Sequence, residues 1–177
     1  MHILISGESG AGKSTLIGRL IERAEAPVYG FRTERVTDSG SGVSFIYMHP
    51  ATGEKIYSED RVVGKCTDGD ARAIAGAFDG LGAPLLAGIP SGSIVLMDEL
   101  GFLESEATRF CEGVLAVMDG PYYAVAAVKA KSTPFIDKVK SHRSALLYNL
   151  TMDNRDALYE LIMGDLRSLD PGAPFAL

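Results

Sequence analysis

Gly7-Glu8-Ser9-Gly10-Ala11-Gly12-Lys13-Ser14 follows the apolar run His2-Ile3-Leu4-Ile5-Ser6 and precedes Leu16, Ile17, Leu20 and Ile21, which fall at helical spacing, with Pro27 and Gly30 marking the helix exit. A short apolar run that stops at a glycine has the pattern of a strand buried on both faces of a parallel sheet. The octapeptide fits G-x-x-x-x-G-K-S/T, and this composition would produce roughly 0.01 such matches by accident. Its glycines let the backbone curl with N–H groups inward, and the helix starting near Lys13 adds its positive dipole end. A polyphosphate is the ligand this geometry suits. Backbone from Gly7, Glu8, Ser9, Gly10, Ala11 and Gly12 would surround it and Lys13 would reach the β- and γ-phosphates. Ser14 would ligate Mg²⁺, and Thr15 would donate to the α-phosphate.

Working outward, strands alternate with helices. Ser93-Ile94-Val95-Leu96-Met97 reads as a buried strand ending at Asp98, and Ala107, Phe110, Val114, Leu115 and Met118 follow with helical periodicity. Tyr122 to Val128 is a third strand, stopping at Lys129 before a polar segment with Pro134 and Ile136. Ala145 to Leu150 is the last, with Asp153 expected to cap a helix through Leu158, Leu161, Ile162 and Leu166. Between these units, Val43 to Met48 and Lys55-Ile56-Tyr57 are expected to form a hairpin around Pro50-Ala51-Thr52-Gly53, with Arg61-Val62-Val63 as a candidate extension. Asp70 to Ala87 is expected to be one helix with a broken end, weakened by Gly80, Gly82 and Pro84. The fold expected is α/β: a three-layer sandwich on a mostly parallel sheet, with a β-hairpin embellishment.

The 177 residues argue for one domain, 1–177, and 46% hydrophobic with 23% charged residues is the composition of a folded chain. Seventeen Lys+Arg against 23 Asp+Glu, a net −6, exclude a global positive field, so neither nucleic acid nor a membrane is expected as a partner. Cys66 and Cys111 lie too far apart for a C-x-x-C site. No apolar run reaches the roughly 18 residues of a membrane span, and the apolar N-terminus lacks the features of a signal peptide, so the expected location is the cytoplasm. No residue pattern names a protein partner.

A phosphate loop needs a carboxylate at the end of a nearby strand to hold Mg²⁺, and Asp98 is the candidate. Glu99 follows and could take a proton from an attacking water. The structural alternatives are a helix cap for Asp98 and solvated surface acids for Glu99 and Glu104. Asp98-Glu99-Leu100-Gly101 also satisfies D-x-x-G, but no N-K-x-D follows, which disfavours a switch GTPase and leaves GTP open as a substrate. Arg32 and Arg35 could reach phosphate or make surface salt bridges, and Thr33 with Glu34 could position water or metal. Lys129 lies on the carboxyl edge of the sheet, where it could sense the γ-phosphate. Arg143 belongs either to a mobile lid or to a solvated basic face. Asn154 and Arg155, opening the last helix, are candidates for nucleotide binding or for simple helix-start chemistry.

With these residues in place, the chain resembles the small phosphate-loop (P-loop) nucleoside-triphosphatases of the cancer-related and thermostable NTPase family, which look like nucleotide kinases in architecture. The likeness runs through Gly7 to Thr15, Gly30-Phe31-Arg32-Thr33-Glu34, Val95 to Gly101 with Glu104, and Asn154-Arg155-Asp156. It departs at Ser9, where the family often has proline, and at Gly40 to Phe45. The resemblance implies Mg²⁺-dependent hydrolysis of the β–γ bond with broad base tolerance, ATP and GTP among the substrates. Two further functions compete with hydrolysis. One is a kinase whose acceptor pocket is built from the hairpin and the Asp70 to Pro90 region. The other is a nucleotide-binding regulatory module whose slow hydrolysis times a partner.

Overall fold

The computed structural model describes residues 1–176; Leu177, the end of the expected domain, lies outside them. Eight strands form one sheet. Its parallel half comprises β1 (His2–Gly7), β2 (Val28–Thr37), β6 (Ile94–Leu100), β7 (Tyr123–Lys129) and β8 (Ala145–Leu150). An antiparallel extension is built from β3 (Ser44–Pro50), β4 (Val62–Thr67) and β5 (Asp70–Ala73). Across the sheet the order is β5-β4-β3-β2-β6-β7-β1-β8. The principal helices are α1 (Lys13–Ile21), α3 (Thr108–Asp119), α4 (Pro134–Lys140) and α5 (Arg155–Leu169); a π-helical turn, Phe78–Gly82, runs into the short α2 (Ala83–Leu85).

The three layers follow from period-two alternation on strands buried on both faces. Ile3, Ile5, Ile94, Leu96, Val125 and Ala127 pack with α1 and α5, including Leu16, Ile17, Leu20 and Ile162. Leu4, Val95, Met97, Ala124, Ala126 and Val128 pack the opposite way, against Phe110 and Val114 of α3 and Ile136 of α4. Phe31, Phe78 and Phe110 form a tilted aromatic chain there, with centroids 5.3 and 5.4 Å apart. Each fully buried aliphatic side chain contributes about 1.5–3 kcal/mol, so these two faces hold the sheet together.

Four local expectations are corrected. Val28 to Thr37 is a strand, although Gly30 reads as a helix-exit signal; Gly30 is needed because a Cβ there would lie 2.1 Å from the carbonyl oxygen of Leu96 on the adjacent strand. The hairpin is built differently as well. Ser44–Pro50 pairs with β2 and β4, whereas Lys55-Ile56-Tyr57 is not a strand and Ala51 to Gly53 only leads out of β3. Asp70 to Ala87 is not one helix, because Asp68 (φ +51°) and Gly69 (φ +83°) make a tight turn that sends Asp70–Ala73 back along β4. Finally, Asn154 rather than Asp153 stands at the start of α5, and the polar segment after β7 contains α4, capped when Thr133 Oγ1 accepts from Ile136 N at 3.1 Å.

Among the described residues no helix is long and apolar enough to cross a membrane. Gly30→Ala is expected to cost roughly 3 kcal/mol or more in urea unfolding, because neighbouring strands must part. Gly53→Ala, where a Cβ meets nothing within 4 Å but φ is +95°, is expected to cost about 1 kcal/mol from backbone strain alone.

Candidate active site

The carboxyl ends of β1, β6 and β7, with Arg32 and Thr33 from the middle of β2, converge at the first turn of α1. Gly10 (φ +82°) and Gly12 (φ +100°) curl the loop, and Gly7 runs so close to β8 that a Cβ would come within 2.4 Å of the Leu150 carbonyl oxygen. Lys13 is buried, and its ammonium donates to the carbonyls of Gly7 (2.9 Å) and Glu8 (3.0 Å). Its third contact is with Glu99 Oε1 at 3.0 Å. Ser14 Oγ donates to Asp98 Oδ1 at 3.2 Å, so the two expected metal ligands sit side by side. Glu8, Ser9, Gly10 and Thr15 remain exposed on the open side of the loop.

Asp98 is 8% exposed at the end of β6 and does not cap a helix. Burial, reinforced by the Glu99 charge, pushes its carboxyl up to about 6 against the pull of Ser14 and Lys13. Two hard oxygens, a hydroxyl and a carboxylate, fit Mg²⁺, which is bound by one or two protein groups with phosphates and water completing its shell. Glu99 is held from three sides. Its N–H donates to Thr33 Oγ1 at 3.2 Å, Lys13 holds one carboxylate oxygen, and Lys129 Nζ stands 3.7 Å from the other. Glu104, at 2% exposure, is no surface acid: its carboxylate accepts from the Gly101 N–H, and burial raises it to about 7. That contact pins the loop after β6.

The remaining candidates separate. Arg155 joins the site through its backbone partner: Nε and Nη2 donate to the Ala11 carbonyl at 3.2 and 2.9 Å, bracing the loop from α5. Asn154 shapes the neighbouring β8–α5 turn, accepting from Thr151 N at 2.8 Å and donating to the Asn149 carbonyl at 3.0 Å. That turn and the phosphate loop line a cavity of about 450 Å³, walled by Gly7, Ser9, Ala11, Asn149, Thr151 and Met152. Arg32 lies opposite Asp98 in the β2–β6 register. Glu34 is instead tied to Lys55 at 2.6 Å and to the Tyr57 hydroxyl at 2.9 Å, and Lys55 holds its carboxyl below the usual range. Arg35 donates to Cys66 Sγ at 2.9 Å on the antiparallel extension. Arg143 is exposed near Met1, His2 and Gly120, at the amino edge of the sheet and away from the phosphate loop, which favours the solvated face over a lid. Residue spacing carries no signal for the positioning roles of Glu104 and Arg155, since both depend on contacts that form only in the folded chain.

A curled loop between a buried strand and a helix, a buried lysine, and an aspartate–glutamate pair on a strand separated from the loop strand by one other define a phosphate-loop nucleoside-triphosphatase. The model of the NTPase family matches residues 2–163, and the chain belongs to that family. It is 28% identical over 167 residues to the nucleoside-triphosphatase THEP1 of Thermotoga petrophila, covering 92% of this chain and 91% of the relative. It is 26% identical over 185 residues to the cancer-related nucleoside-triphosphatase homolog of Mus musculus, covering 94% and 97%. The crystal structure of THEP1 from Aquifex aeolicus superposes with a TM-score of 0.71 at 28% identity, over 93% of this chain and 98% of that one.

Folding raises the proton affinity of Glu104 from an ordinary 4.5 to about 7, so its contribution favours the fold at low pH and is lost as pH rises across that window. In metal-free buffer Tm is therefore expected to fall less between those pH values in Glu104→Gln, which keeps an acceptor for Gly101, than in the parent. Arg155→Ala is expected to weaken triphosphate binding about tenfold by loosening the loop, read by calorimetric titration.

Proposed function

We propose that the chain hydrolyses the β–γ bond of nucleoside triphosphates with Mg²⁺. The observation that carries this reading is the convergence of Lys13 and Glu99 at 3.0 Å beside the Ser14–Asp98 pair. A triphosphate in the loop would draw Lys13 from Glu99 to its own oxygens, leaving the Glu99 carboxylate to orient a water and take its proton. The water oxygen then bonds to the γ-phosphorus as the bond to the β–γ bridging oxygen breaks, and the diphosphate leaves with the electron pair. Thr33 fixes the backbone of Glu99, while Lys129 steadies its carboxylate and adds positive charge at the carboxyl edge. Mg²⁺, held by Ser14 and Asp98, would supply charge neutralisation on the phosphate oxygens.

The cavity between the phosphate loop and the β8–α5 turn supports a nucleoside site, with Asn154 acting as a positioning residue through Asn149 and Thr151. The reading extends to broad base tolerance, ATP and GTP included, as the resemblance to the family implies. Both cysteines, Cys66 and Cys111, are free, in keeping with a reducing compartment such as the cytoplasm.

The test is phosphate release from ATP, GTP, CTP and UTP, with Mg²⁺ and with a chelator, in the parent and in Glu99→Gln. Steady release from several triphosphates is expected, lost with the chelator and reduced about 10²–10⁴-fold in Glu99→Gln while nucleotide still binds. Lys13→Ala is expected to lose about 10²-fold or more while remaining folded by circular dichroism. Tight binding with negligible release in both parent and Glu99→Gln would end the hydrolysis reading.

A further inference from the structure

A second cavity, of about 490 Å³, opens on the other side of Ser14 and Asp98. This volume lies within the range of small-molecule sites. Its floor is apolar, formed by Ile17, Ile21, Ala51 and Leu96, whereas Glu22, Glu34 and Lys55 stand at its more exposed rim. Arg32 lines it too. The Arg32 guanidinium donates through Nη2 to the Gly53 carbonyl at 2.8 Å, but its Nε is buried without a partner, and it has no carboxylate within 4.0 Å among the described residues. Hydrolysis calls for neither an apolar floor nor this guanidinium: a water molecule needs no such space. An arginine fork without an anion, beside the metal-ligating pair, matches the oxygens of a phosphate.

We propose that this cavity is a second substrate site, taking a ring-bearing phosphomonoester of the nucleoside-monophosphate class whose phosphate binds Arg32 and accepts the γ-phosphoryl group. The assignment rests on the reading that a triphosphate occupies the phosphate loop beside Ser14 and Asp98. The apolar floor takes the ring, and Glu22 with the Glu34–Lys55 pair at the rim meets its hydroxyl or amine groups. In the transfer, an anionic oxygen of the monoester bonds to the γ-phosphorus, the bond to the β–γ bridging oxygen breaks, and the nucleoside diphosphate leaves with the electron pair. The acceptor becomes a diphosphate. Its attacking oxygen is already ionised, so no base has to take a proton, and Glu99 is needed only when water is the nucleophile. On this proposal the acceptor pocket takes Ala51 and Lys55, which follow β3, and not the Asp70 to Pro90 region.

Gly18 offers a selective test. It lines the cavity from α1, and a Cβ there meets nothing within 4 Å, so Gly18→Leu fills the space without touching the phosphate loop. ATP labelled at the γ-phosphate is incubated with Mg²⁺ and AMP, GMP, CMP or UMP, and the labelled products are separated. Label is expected in a nucleoside diphosphate with at least one acceptor, with phosphate release falling to match. Gly18→Leu is expected to lose about tenfold or more of the transfer and keep its phosphate release, and Arg32→Met to raise KM for the monophosphate by about tenfold. Label found only in inorganic phosphate, whatever the acceptor, overturns the second site and leaves hydrolysis standing. Label that stays in ATP overturns both readings, and undiminished transfer by Gly18→Leu moves the acceptor out of this cavity and overturns the assignment.

Discussion

Asp98 is buried at the end of β6 with the Ser14 hydroxyl as its donor, and the architecture is arranged around bringing those two groups together. They start from strands that are not neighbours, since β7 lies between β1 and β6. For the first turn of α1 to reach Asp98, the helix has to lie across β7, and it can do so closely because Ala127, on the face of that strand toward α1, has a small side chain. Ala127 shares a packed cluster with Leu16 and Ile17 of α1. Core composition thus sets a distance in the site: a larger residue on that face of β7 would lift α1 and part the hydroxyl from the carboxylate.

Three acids crowd the same edge, and each is handled differently. Asp98 has a hydroxyl donor and the nearby charge of Lys13; Glu99 lies between two lysines; Glu104 is turned inward onto a backbone N–H. Burial opposes ionisation at Asp98 and Glu104, whereas the half-buried Glu99 keeps its contacts with two cations. The division suits a site that must gather negative charge from a polyphosphate. The carboxylate between two lysines is the one beside the loop's own cation, and the one that only supports the loop sits where it can hold its proton near neutral pH.

The phosphate loop and the strand ending at Asp98 were legible because each has a local signature, a glycine spacing or an uninterrupted apolar run. The antiparallel extension was legible only in part: Val43 to Met48 covers most of β3 and Val62-Val63 opens β4, whereas β2 and β5 carry subtler signals. Gly30 reads as punctuation until the neighbouring Leu96 carbonyl is in place, and Asp68-Gly69 is a two-residue turn just ahead of a stretch whose alanines favour a helix. Pairing with β4 overrides that propensity for Asp70–Ala73. Among the site residues, Lys13, Ser14, Asp98 and Glu99 converge as the motifs imply. The alternatives for Arg155 and Glu104 divide on tertiary contacts, the first to the Ala11 carbonyl and the second to the Gly101 N–H, which no spacing along the chain encodes.

The first strand of the chain sits between the last two, with Ile3 beside Val125 and Leu146. A ribosome must therefore deliver the chain through β7, Tyr123–Lys129, before β1 has a neighbour on either side, and the phosphate loop hangs from the end of that strand. Local helices can form earlier, but such long-range pairings close slowly and late. Nucleotide capture is thereby tied to synthesis of β7 and β8: a chain interrupted before them carries the entire glycine motif on a strand with no neighbours.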